Sequence, residues 1–123
     1  MASDAEKVVN DFCKAWTRRN IDEIMGFFAV DAVYHNIPMQ SVKGTAAIKA
    51  VINTFLPGSQ SIEFRVRNTT SNGNVVMNER VDVFEMGGKH VEVPVAGIFE
   101  IKGGKIAAWR DYFDLATFTK QTQ

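Results

Sequence analysis

Three turn signals in the second half of the chain do most to limit what it can fold into. Ser71-Asn72-Gly73-Asn74, Gly87-Gly88 and Gly103-Gly104 separate runs in which apolar and polar residues alternate. Short Gly/Asn turns between alternating runs are the mark of antiparallel hairpins. They predict strands over Ser61–Thr70, Val75–Glu85, His90–Ile101 and Lys105–Phe113. In the first of these, Ile62, Phe64 and Val66 fall on one face. Gly97 interrupts an otherwise good strand and marks an expected bulge or bend.

The first half has a different period. Ser3 and Glu6 have capping-box spacing ahead of Val8, Val9, Phe12, Cys13, Ala15 and Trp16, which recur as one face of a helix. Arg18 and Arg19 sit in its last turn, and Asn20 ends it while capping the next. Asn20 and Glu23 repeat the capping spacing, predicting a second helix through Ile24, Met25, Phe27 and Phe28. A short strand is expected over Ala32–Ile37, closed by Pro38, and a third helix over Thr45–Phe55, stopped by Leu56-Pro57-Gly58. A short helix or tail ends the chain. Helices followed by antiparallel strands make an α+β domain, and 123 residues suit a single domain, 1–123.

Composition narrows the partners. Fourteen basic residues balance fourteen acidic ones, so there is no electrostatic footprint for nucleic acid or an anionic membrane. No apolar run is long enough to span a bilayer, and the N-terminus lacks the basic and apolar regions of a signal peptide. A cytoplasmic protein is the expectation. Nine Phe can fill a core or line an apolar pocket. Cys13 is the sole cysteine and falls on the apolar stripe, as a small buried hydrophobe would. His35 and His90 have no ligand spacing, and no Gly-rich phosphate loop stands between a strand and a helix. No metal and no cofactor are expected.

The chemistry lies in polar residues placed at alternating positions of apolar strands. Side chains at i and i+2 share a face, about 6.6 Å apart along the strand. Tyr34 and Asn36 pair this way, as do Arg80 and Asp82, with Phe84 continuing their face. Taken alone, that strand allows Arg80 and Asp82 to face solvent while Val81 and Val83 enter the core. The last strand favours the opposite arrangement. Trp109 and Phe113 flank Asp111, and two large rings rarely border a carboxylate on a wet face. A partly buried carboxylate needs a cation or donors, and Arg80 is the evident candidate.

Three segments carry a resemblance: Tyr34-His35-Asn36-Ile37-Pro38, Glu79-Arg80-Val81-Asp82-Val83 and Trp109-Arg110-Asp111-Tyr112-Phe113-Asp114-Leu115. In order and spacing they resemble the signature segments of limonene-1,2-epoxide hydrolases. The resemblance implies a nuclear-transport-factor-2-like, SnoaL-like cone, a curved mixed sheet with helices around a deep apolar pocket, and a homodimer. It implies that Asp111 is the general base, that Tyr34 and Asn36 hold the water with it, that Asp82 protonates the epoxide oxygen, and that Arg80 bridges the two carboxylates. His35 takes no part. The N-terminal extension of some relatives is short here, which bears on the dimer or on solubility more than on chemistry.

The implied reaction is water addition to a small hydrophobic epoxide, giving a vicinal diol with inversion at the attacked carbon. Asp82 must then be protonated while Asp111 is ionised. Arg80 alone would lower both pKa values; an apolar pocket and a second carboxylate work against it, so one proton is expected across the pair. No nucleophile elbow is present. The alternatives are a ketosteroid-isomerase-like or polyketide-cyclase-like enzyme on the same cone, and a non-catalytic small-molecule-binding module.

Overall fold

The computed structural model describes residues 3–123. Helices α1 (Asp4–Arg18) and α2 (Ile21–Met25) precede strand β1 (Phe28–Asn36), a two-residue strand β2 (Val42–Lys43) and helix α3 (Thr45–Ile52). Strands β3 (Ser59–Asn72), β4 (Val75–Met86), β5 (Lys89–Lys102) and β6 (Lys105–Tyr112) follow, and α4 (Leu115–Thr122) closes the chain. The six strands form one open, curved sheet in the order β2-β1-β6-β5-β4-β3. β1 runs parallel to β6, and the other neighbours are antiparallel. This is the α+β domain that the sequence pattern predicts, curved into the cone that the resemblance implies.

The hairpin turns fall where the glycines place them. Gly87 and Gly88 both have positive φ, 56° and 79°, the backbone a two-residue hairpin turn of the twist-matching kind requires. The alternation then delivers one face of β4 and β5 to the interior. Val76, Asn78, Arg80, Asp82 and Phe84 are buried along β4, opposite Val91, Val93, Val95 and Phe99 of β5. α1 packs across β3 and lays Val9, Phe12, Cys13 and Trp16 into this concave face. The Phe12 ring is the hub. It meets Trp16, Phe27, Phe28, Phe99 and Trp109 edge-on, at centroid distances of 4.9–6.1 Å, and each such pair adds about 0.5–1.5 kcal/mol to simple burial.

Several local expectations are corrected. The second helix stops at Met25, and Phe28 opens β1 instead. Ile106 N donates to Phe27 O, so pairing with β6 overrides the helical spacing there. α3 ends at Ile52 rather than Phe55. Ser3 Oγ accepts from Glu6 N at 3.1 Å, but Glu6 completes no capping box, because its carboxylate accepts from Ser71 Oγ and ties α1 to β3. Val66 does share the face of Ile62 and Phe64, being paired with Arg80 as they are with Phe84 and Asp82, but not their burial. It lies 38% exposed beside a register shift on the free edge strand. Gly97 is not a bulge: it pairs in regular register with Asn78 on one side and Asp111 on the other.

Candidate active site

The strand pairings bring the three sequence segments together. On parallel β1 and β6, Tyr34 is registered with Trp109 and Asn36 with Asp111. On β5, Gly97 links Asp111 to Asn78, and Val95 and Val93 lie opposite Arg80 and Asp82. The residues Tyr34, Asn36, Arg80, Asp82 and Asp111 therefore converge on one interior patch, as the resemblance implies.

At its centre Arg80 is 1% exposed, between Asp82 and Asp111 at 5% and 4%. Arg80 Nε donates to Asp82 Oδ1 and Nη2 to Asp82 Oδ2, each at 2.9 Å. Nη2 also donates to Asp111 Oδ2 at 2.8 Å, and Nη1 to Asp111 Oδ1 at 3.2 Å. The fifth N–H goes from Nη1 to Asn78 Oδ1, at 3.1 Å. Every donor of the guanidinium fork is thus matched, and the Phe64 ring lies 4.8 Å from its central carbon. Asp111 Oδ1 accepts a further bond from Trp109 Nε1 at 2.6 Å, and the Trp109 indole stacks on the Tyr34 ring at 4.3 Å. Tyr34 Oη donates to Asn36 Oδ1 at 3.1 Å.

Three of these features escaped the sequence reading. Asn78 continues the Arg80–Asp82 alternation by one more step, which was a readable signal. The Trp109 indole bond to Asp111 obeys the same spacing of two but was read only as apolar shielding. The role of Gly97 had no sequence signal beyond its being a glycine in a strand. A Cβ there would stand 2.4 Å from Arg80 Nη1, 2.8 Å from Asn78 Oδ1 and 3.0 Å from Asp111 Oδ1, so bare backbone is the condition for the guanidinium to lie where it does.

The electrostatics separate the groups. Burial raises the Asp82 carboxyl to about 6, against the lowering pull of Arg80, and Asp111 adds to the rise. Burial disfavours the Arg80 cation, but the two carboxylates outweigh it and hold the guanidinium above its ordinary value. Burial, and after it the Asp111 charge, keep Tyr34 a neutral phenol. Cys13 is buried and its thiol is pushed up to about 12, chiefly by that burial, so it is a packed hydrophobe rather than a nucleophile. His35 stands apart, its Nε2 2.9 Å from the Met39 carbonyl. His90 lies on the surface between Glu85 and Glu92.

The patch opens into a cavity of about 350 Å³ whose walls include Tyr34, Asn36, Asp82 and Asp111. The rest of the lining is dominated by Trp16, Phe55, Phe64, Phe84, Phe113 and Phe118. Phe118 belongs to α4, which is anchored to β5 where Gln121 takes the Glu92 N–H and donates to the Glu92 carbonyl, at 2.9 and 2.8 Å. One end of the space can hydrogen-bond and exchange protons; the remainder offers only apolar contact. No helix among the described residues is long and apolar enough to cross a membrane.

Comparison with known proteins identifies the family and the fold. The family model described as limonene-1,2-epoxide hydrolase catalytic domain matches residues 3–123. Epoxide hydrolase EphG of Mycobacterium tuberculosis is 28% identical over 107 residues, which cover 87% of this chain and 71% of that protein. The solved structure of an LEH-like epoxide hydrolase from M. tuberculosis superposes with a TM-score of 0.84 at 27% identity, covering 96% of this chain and 88% of that one. An NTF2-like protein of unknown function from Burkholderia pseudomallei has a TM-score of 0.87 at 14% identity, with 98% of each chain covered. That likeness, and a similar one to proteins described as polyketide cyclases at 20% identity or below, concerns the fold alone.

Proposed function

Since the chain belongs to the limonene-1,2-epoxide hydrolase catalytic domain family, we propose that it adds an activated water to a small hydrophobic epoxide in one concerted step, giving a vicinal diol with inversion at the attacked carbon. The observation that carries this reading is the buried Arg80, doubly bonded to each of two carboxylates that border a single apolar cavity.

Asp111 takes a proton from water while the water oxygen bonds to an epoxide carbon. The bond from that carbon to the ring oxygen breaks, and Asp82 gives the oxygen its proton. General acid–base assistance of this kind is typically worth about 10²–10⁴-fold per group. Asn36 Oδ1, which has a second lone pair beside the one taken by Tyr34, receives the other water hydrogen and turns the lone pair of the water toward carbon. Each turnover moves one proton from Asp82 to Asp111. Arg80, held above its ordinary pKa, is a poor carrier for its return, so solvent entering after product release resets the pair. No covalent intermediate, metal or cofactor is needed. A volume near the lower end of ligand pockets, which run about 300–1,000 Å³, suits a small apolar epoxide. The functional unit is a homodimer, formed on the outward sheet face where Met77 and Tyr112 are exposed; light scattering of the purified protein checks this.

Single turnover in isotopically labelled water tests the chemistry. Label should reach the diol in the first cycle. Label entering the protein first would overturn direct water attack, and turnover of an enolisable ketone with no action on epoxides would favour the isomerase-like alternative.

A further inference from the structure

The proposed chemistry employs Arg80, Asp82, Asp111, Tyr34 and Asn36 and leaves one buried polar side chain of the same patch without a part. Asn78 is 4% exposed and stands two residues before Arg80, so Asn78, Arg80 and Asp82 form one inward row of β4. Its Oδ1 accepts from Arg80 Nη1, and its Nδ2 faces Cys13 Sγ of α1 at 3.6 Å. This fixes which way the carboxamide points. A guanidinium only donates, so the oxygen must face it, and the sulfur, a weak acceptor, receives the amide hydrogens.

The two carboxylates hold the guanidinium unevenly: Asp82 takes Nε and Nη2 at equal length, while the Nη1 corner is the loosest of the fork. Both draw on Nη2, at 2.9 and 2.8 Å, while Nη1 reaches Asp111 only at 3.2 Å. Without a third acceptor, Nη1 would keep only its longer bond to Asp111, and the fork would be drawn toward its tighter pair with Asp82. Asn78 opposes that pull from the Nη1 corner, and the space for it exists because Gly97, registered between Asn78 and Asp111, carries no side chain. The titratable groups around the fork are Cys13 on α1, Tyr34 on β1, Asp82 on β4 and Asp111 on β6. From β3 and β5, Phe64, Val66, Val95 and Gly97 lie beside it, none of them titratable.

We propose that Asn78 is a positioning residue for epoxide opening, which holds the in-plane orientation of Arg80 and, through it, the placement of both carboxylates at the cavity wall. The proposal rests on the hydrolase reading above. A small misplacement of reacting groups can reduce a rate about 100-fold, so the expected signature is in kcat rather than in KM.

Asn78→Leu keeps the branching at Cγ, with more bulk, and removes the acceptor. Asn78→Thr keeps a neutral acceptor oxygen on the same face, reaching Nη1 directly or through one water. Steady-state kinetics on a small epoxide panel should show kcat down roughly tenfold or more for Asn78→Leu with KM within about twofold, and kcat restored to within about threefold of wild type by Asn78→Thr. Equal losses in the two variants, no loss in either, or a loss carried by KM would overturn the proposal. If Asn78→Leu does not fold, Asn78→Ala against Asn78→Thr makes the same comparison. A wild-type protein that forms no diol would overturn the hydrolase reading instead. In that event the role in epoxide opening falls with it, and carbon-13 titration of the Asp82 and Asp111 carboxyls decides the positioning of Arg80 alone: curves altered by Asn78→Leu and preserved by Asn78→Thr support it, and identical curves in all three proteins overturn it.

Discussion

Two arginine clusters in this molecule share bond lengths and differ in almost everything else. Arg18 donates to Glu23 at 2.7–3.0 Å, with the two side chains 56% and 36% exposed. Arg80 donates to Asp82 and Asp111 over nearly the same distances, with its side chain fully buried. In the exposed pair the hydrogen bond from Arg18 holds Glu23 below the ordinary carboxylate range. In the buried cluster Asp82 moves the other way, because loss of water outweighs the nearby cation. Bond length is therefore a poor guide to what an ion pair does. Water stabilises the exposed charges whether or not they meet, so their pairing contributes little. The buried charges depend wholly on one another, and that dependence suits a site whose acid must keep its proton near neutral pH.

The largest expected difference between the clusters is in catalysis. Asp111→Asn and Asp82→Asn should each lower diol formation about 10²–10⁴-fold, with circular dichroism showing a folded protein, because Arg80 keeps one ionised partner. Normal turnover in either variant would remove the buried cluster from the mechanism. Next comes Gly97→Ala, whose methyl must displace Arg80, Asn78 or Asp111. Overpacking of this kind costs about 1–3 kcal/mol, readable as a lower denaturation midpoint together with lost activity.

A smaller effect separates the clusters by its sign with pH. The raised pKa of Asp82 means that the folded state binds more protons than the unfolded chain between the ordinary aspartate value of 3.8 and about 6. Its contribution to stability is complete below that window and is lost as pH rises through it. Glu23 behaves oppositely: its contribution is present above the ordinary glutamate range and is lost as pH falls through its depressed value. Melting curves of wild type and Asp82→Asn across pH 4–7 should diverge in slope, and parallel curves would contradict the assignment. Least of all should change in Glu23→Gln. Any loss of melting temperature there should vanish in roughly 1 M salt, where screening acts over about 3 Å.

The difference between the clusters also bears on what the sequence discloses. Glycine-bearing turns and period-two alternation placed four strands to within a few residues, because hairpins are written locally. The same alternation exposed Arg80 with Asp82 and Tyr34 with Asn36 as pairs, and the rings around Asp111 argued that its face was covered. What escaped notice depends on neighbours across the sheet. Gly97 reads from its own strand as a bulge or bend, because its requirement comes from Arg80 and Asp111 on two other strands. The start of β1 at Phe28 was hidden because a parallel partner far along the chain overrides helical spacing. The exposure of Val66 was not readable either, because alternation records which face a residue takes, while the position of its strand at the sheet margin decides whether that face is covered.

The parallel pairing of β1 with β6 has a consequence for how the molecule comes into being. Strands β3 to β6 can zip by successive hairpins between near neighbours, whereas joining Tyr34 and Asn36 to Trp109 and Asp111 means closing a loop that spans most of the chain, an entropically late event. A partly folded intermediate would hold the arginine and its acids yet lack the groups that seat the water. Recovery of turnover during refolding should therefore lag behind recovery of β-sheet signal.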